Sequence, residues 1–224
     1  MIQKRLEELN KKWKTKRDYK SFTNDGVLNY QTWEFQNPKV LFLLKESADG
    51  FIEIVGKEHD IRKGNGPHFW WNICYWKYLI TNIYLKKNID FISKLELPEV
   101  VCNNYLLDSI AYVNIKKNNE GLTKSNRGDI LKYAKQDQDL LKEQIDIICP
   151  NVIFCSSDTF EAYRHIYGPN LLKLNDTCFR HNDRLIIKFY HPSYGFLTGG
   201  RKAIYYKLKN SIISDIDLPT QFNW

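Results

Sequence analysis

The chain alternates between short, nearly unbroken apolar runs and longer segments in which apolar residues recur at helical spacing. Residues 2–14 set Ile2, Leu6, Leu9 and Trp13 among charges, the pattern of an amphipathic helix laid on a body. Residues 18–37 are polar and aromatic and read as loops or short edge strands. The first buried strand is expected at 39–44 in "VLFLLKESADG", followed by a polar loop with Gly56, Gly64, Gly66 and Pro67. "HFWWNICYWKYLITNIYL" predicts a long aromatic helix over 69–86, and 91–95 a short helix or turn. "SIAYVNI" at 109–115 reads as the second strand, and 117–129 as a solvated loop or one that tracks a nucleic-acid backbone. A charged helix over 129–148 is expected to stop at Pro150. "NVIFCS" at 151–156 is the third strand, and Ser157 or Asp158 can cap a helix running to Ile166. "RLIIKFY" at 184–190 is the fourth strand, and "GGRKAIYYKLKNSIISDI" the closing helix.

Strands that alternate with helices, and are apolar on both sides, argue for a parallel sheet covered on both faces. The expected fold is therefore α/β, a three-layer αβα arrangement around a central parallel four-stranded sheet. At 224 residues, one domain spanning 1–224 is the natural reading, with 1–37 packed on it.

Charge changes the picture. Lys+Arg number 33 against Asp+Glu 26, a net charge of +7, which favours a polyanionic partner, nucleic acid first. The alternative is a surface lysine excess that serves solubility. Five cysteines, Cys74, Cys102, Cys149, Cys155 and Cys178, show no CxxC spacing and read as buried structural thiols of a reducing compartment. No metal and no cofactor are expected. "MIQKRLEELNKKWK" lacks the apolar core of a secretory signal, and no apolar run approaches a membrane span, so a cytoplasmic chain, read as a monomer, is expected.

Open parallel sheets do their chemistry outside the carboxyl ends of their strands. There the sequence sets Lys45, Glu46, Ser47 and Asp49, then Asn114, Lys116 and Lys117, then Ser156, Ser157 and Asp158, then His191, Pro192, Ser193 and Tyr194. GxGxxG and P-loop patterns are absent, which argues against a dinucleotide or nucleoside triphosphate enzyme.

This set, in "VLFLLKESADG", "AYVNIKK" and "IIKFYHPSYG", resembles the uracil-DNA glycosylase superfamily over residues 38–212, with a softer match in "DLLKEQIDIICPNVIFCS". The resemblance implies a monofunctional DNA glycosylase. Glu46 falls at the carboxylate that orients water against the sugar, and Asn114 at the amide that reads the flipped base. His191 falls at the group that stabilises charge on the base oxygen. Ser193 matches a phosphate contact, and Tyr194, Phe196 and Leu197 lie in the loop that wedges the duplex. Phe69 is the candidate stacking aromatic, with Phe51 and Trp70 as competitors and His68 nearby. Lys45, Lys116, Lys117, Arg201 and Lys202 would hold the backbone.

Two departures carry weight. The first motif lacks the family's glycine before the polar pair and its proline after it, and Lys45 and Ser47 flank the carboxylate. Ala48 stands where uracil-specific members carry a tyrosine that blocks a 5-methyl group, which implies room for a 5-modified pyrimidine. The cysteines do not match the iron–sulfur set of one branch. Each residue also has a plainer reading: Glu46 as a strand-end surface residue, His191 as a turn histidine, Asn114 as a strand-end cap. A glycosylase-like module that binds nucleic acid without cutting stays open, as does an unrelated α/β hydrolase acting on a nucleoside.

Overall fold

The computed structural model describes residues 1–19, 21–46, 68–87, 89–93, 96–103, 106–107, 109–118, 125–195 and 198–213. In chain order the elements are α1 (Ile2–Arg17), β1 (Gly26–Val27), α2 (Tyr30–Phe35), β2 (Val40–Glu46), α3 (His68–Tyr84), α4 (Leu97–Asn103), β3 (Ile110–Lys116), α5 (Arg127–Gln136), α6 (Gln138–Ile148), β4 (Val152–Cys155), α7 (Ser157–Tyr167), β5 (Leu172–Lys173), β6 (Cys178–His181), β7 (Arg184–Lys188) and α8 (Gly200–Ile213).

The fold is α/β, but the sheet corrects the expectation of four parallel strands. It is mixed and seven-stranded, in the order β1-β3-β2-β4-β7-β6-β5. The four apolar runs β3, β2, β4 and β7 do pair in parallel. β1 adds antiparallel to β3, and the β5 and β6 pair extends β7 antiparallel. β1 falls where residues 18–37 read as loops or short edge strands, whereas β5, both of whose residues are exposed, and β6, in which only Cys178 is buried, lack the apolar run the search relied on.

Side-chain alternation along the strands feeds two cores. Val40, Phe42, Leu44, Ile110 and Tyr112 join α3 and α8 on one face. Leu41, Leu43, Ala111 and Val113 join α1, α6 and α7 on the other. Rings dock α3 onto the sheet: Phe42 stacks on Phe154 at 5.1 Å, and Trp76 stacks on Phe154 at 5.5 Å. Within this apolar helix Lys77 is fully buried, and its ammonium donates to the Pro38 carbonyl at 2.8 Å.

Helix ends follow local chemistry. Asn126 and Asp129 close a capping box at the start of α5. The helix expected over 129–148 is two helices, because Asp137 ends α5 and starts α6. Its carboxylate is held from outside the pair, by Arg17 Nε at 2.5 Å and the Tyr19 hydroxyl at 3.0 Å. α6 ends at Cys149 in the left-handed region, φ 52, just before Pro150. Cys149 is exposed, a correction to the buried thiols expected, whereas Cys74, Cys155 and Cys178 are buried. Residues 91–93 are not helical, and the helix nearby is α4. Among the described residues no helix is long and apolar enough to cross a membrane.

Candidate functional site

The parallel register sets the heights of the groups leaving the sheet. Leu43 pairs with Cys155, and Cys155 with Lys188. Glu46 ends β2, and His191 lies three residues past the end of β7, so both stand at the carboxyl edge of the parallel strands. Glu46 is itself paired with Lys116 in the last rung of β2 and β3.

Glu46 is held by three donors. The Ser125 backbone N–H reaches Oε1 at 2.6 Å, while the Ser125 hydroxyl, at 2.5 Å, and Lys116 Nζ, at 3.2 Å, both donate to Oε2. Burial pushes this carboxyl up, but the Ser125 and Lys116 donors outweigh it and hold it below its ordinary value. It is therefore ionised at neutral pH. A carboxylate offers about four acceptor positions, and the described residues fill three of them. Lys45, next along β2, turns to the opposite face and pairs with Asp158 at the start of α7.

His191 opens a turn that its own carbonyl closes by accepting the Tyr194 N–H at 2.8 Å. The Ser193 N–H donates to His191 Nδ1 at 3.2 Å, so the neutral ring carries its proton on Nε2. The turn is pinned from α3: Asn72, buried in an aromatic helix, donates to the carbonyls of Pro192 at 2.6 Å and Tyr194 at 2.9 Å. Phe69, one helical turn's reach away, lies 6.0 Å from the His191 ring, centroid to centroid. Trp70 is 2% exposed and packs edge-on against Tyr112, which makes it core rather than a stacking platform. Tyr194 stacks on Tyr190 at 4.4 Å, so its ring belongs to a packed pair, while Ser193 is exposed.

Asn114 lies at the heart of a buried polar cluster. Its backbone N–H and Nδ2 both donate to Asp25 Oδ2, at 2.7 and 3.0 Å, and its Oδ1 has no partner among the described residues. Asp25 also takes Gln144 Nε2 at 2.8 Å and an ion pair from Lys117. Lys117 is wholly out of solvent, with its ammonium 5.2 Å from the Trp13 ring, which corrects its expected role as a phosphate contact. Lys116 closes β3 and reaches the site, whereas Lys117, the first residue past the strand, turns into the core. Arg201 lies over the Trp71 ring at 5.8 Å, and Lys202 is exposed on α8.

Ala48, Phe51, Phe196, Leu197, Ser47 and Asp49 lie outside the described residues, as does the glycine-containing loop 47–67. Sequence reasoning missed Ser125, Asp25 and Asn72. An asparagine inside "FWWNICYW" was a legible signal, because a buried amide in an apolar helix must find partners. Ser125 and Asp25 sit in ordinary polar stretches that carry no such mark. Among the described residues no group of three or more His, Cys, Asp and Glu side chains could hold a metal ion. No family model, no curated protein and no solved structure matches the chain.

Proposed function

We propose that the chain is a monofunctional DNA N-glycosylase that hydrolyses the N-glycosidic bond of a flipped uracil-like or 5-modified pyrimidine. The observation that carries this reading is an ionised Glu46 at the end of β2 and His191, held in its turn through Nδ1, just past the end of β7, both at the carboxyl edge of the parallel strands. Bond cleavage develops positive charge on the sugar and negative charge on the base. Glu46 stabilises the first and orients the attacking water through its remaining acceptor position. His191 Nε2–H donates to the base oxygen, and Phe69 lies where a ring could stack against the base. In this reading the parallel β3-β2-β4-β7 core between two helical layers is a three-layer, uracil-DNA glycosylase-like arrangement.

A second reading has its own support. Lys116 and Ser125 together take three of the Glu46 acceptor positions, which fits a glycosylase-like module that binds nucleic acid and no longer cuts. One experiment separates the two. Labelled oligonucleotides holding uracil, hypoxanthine, mismatched thymine or 5-substituted pyrimidines, single- and double-stranded, are incubated with the protein and then treated with alkali. Breaks that vanish in Glu46→Gln, with DNA binding intact, establish the glycosylase. Binding without breaks on every substrate selects the second reading.

A further inference from the structure

Most of the lysines at the sheet edge are spent inside the protein. Lys45 is paired with Asp158, Lys116 with Glu46 and Lys117 with Asp25. The cations that give the chain its +7 charge must act elsewhere. α1 alone holds seven basic residues against two acidic ones, a net of +5.

The fold connects this helix to the site. Ser125, which clamps Glu46, stands just before α5, and α5 then runs about 15 Å to Gln136. There the end of α1 meets it: Arg17 donates to the Gln136 carbonyl and to Asp137. The chain after α1 returns to the end of β3, where the Thr23 N–H donates to the Lys117 carbonyl at 2.9 Å. Lys132 and Lys135 are exposed on α5, one turn apart, and Lys11 and Lys14 are exposed on α1 with the same spacing. None of the four forms an ion pair with a described residue. Their neighbours Lys12 and Arg17 are by contrast bound to Glu143 and Asp137.

We propose that Lys132 and Lys135 on α5, continued by Lys14 and Lys11 on α1, form a basic belt that carries the DNA backbone away from the Glu46 edge. A duplex presents a phosphate charge every 1.7 Å or so of its axis, and such contacts give affinity without reading sequence. The belt rests on DNA being the partner, and not on base excision.

The test is fluorescence anisotropy on a short labelled duplex that contains no modified base, over a salt series, with the wild type and the Lys11→Gln/Lys14→Gln/Lys132→Gln/Lys135→Gln variant. All four positions are exposed, and an unchanged circular dichroism melt verifies folding. The variant is expected to bind at least about tenfold more weakly near 0.1 M salt, with the slope of log affinity against log salt shallower by about 3.6, since each of the four lost contacts removes about 0.9. Equal affinity and slope in the two proteins overturn the belt. So does a wild type that ignores the duplex, or one that binds vesicles rich in phosphatidylserine more tightly than DNA. A glycosylase whose binding survives the four substitutions leaves the function and removes the belt. A belt that holds while no base is excised removes the glycosylase and leaves the binding surface.

Discussion

Lys117 and Asp25 form an ion pair in which neither side chain has any solvent exposure. The two partners are not equally replaceable. Asp25 collects donors from Asn114, Gln144 and Lys117, whereas Lys117 has Asp25 as its anion. Burial pulls the Lys117 ammonium below its usual range, and Asp25 opposes that pull. Removing one partner of a buried pair costs about 3–5 kcal/mol, because the other is left uncompensated. Asp25→Ala is expected to reach that range in urea denaturation. Lys117→Met is expected to cost clearly less, since the carboxylate keeps three N–H donors and the methionine fills the stem's volume. A larger loss from Lys117→Met would reverse this assignment of roles.

Lys77 has no anion beside it among the described residues; a carbonyl is its hydrogen-bond partner. Burial pushes its ammonium down to about 7. The folded value lies below the unfolded one, so the unfolded chain binds more protons between them. Stability attributable to Lys77 therefore rises with pH across that window, by up to about 1.4 kcal/mol per unit. Between pH 7 and 9 the wild-type melting temperature is expected to rise. Lys77→Met should flatten that rise and melt higher than wild type at pH 6, the unpaired Pro38 carbonyl costing only about 1–3 kcal/mol. Parallel pH profiles for the two proteins would show that Lys77 does not set the dependence.

Asn72 ties α3 to the turn that carries His191. In Asn72→Ala the buried Pro192 carbonyl and the part-buried Tyr194 carbonyl lose this donor, at about 1–3 kcal/mol for the buried one and less for the other. The expected result is lower stability and faster amide exchange at Tyr194, whose N–H closes the turn onto the His191 carbonyl. Exchange that quickens uniformly over the protein instead would mark Asn72 as a general core residue.

Much of this fold was legible where burial imposes a pattern. The runs at 40–44, 110–115, 152–155 and 184–188 are apolar because both sheet faces are covered. The break at Asp137 was not legible, because Gln136, Asp137 and Gln138 suit a helix surface, and the reason for the break arrives from Arg17 and Tyr19, far away in sequence. The site divides the same way. Glu46, Lys116, Phe69 and His191 follow from where strands and helices end. Ser125 and Asp25 act through contacts separated by 79 and 89 residues, and nothing local marks them. Lys116 and Lys117 looked alike in sequence, and only their distant partners, Glu46 for one and Asp25 for the other, separate the site from the core.

The clamp on Glu46 gives the sharpest test of the site, and it does not depend on finding the substrate. Ser125 donates through both its backbone N–H and its hydroxyl, and Lys116 adds a cation. Together they hold the carboxyl below its ordinary value against the pull of burial. Ser125→Ala removes one donor to the charged form and leaves burial untouched, so the Glu46 titration must move to higher pH. Lys116→Met must move it in the same direction, since it removes both a hydrogen bond and a positive charge. A carboxyl-carbon NMR titration of Glu46 in the three proteins reads this directly. If the chain excises a base, the acid limb of its pH–activity profile follows the same order, while activity near pH 7.5 stays within about tenfold, because Glu46 remains ionised there. A titration that stays in place in both variants would mean that the three donors position a loop and leave the chemistry of Glu46 to groups beyond them.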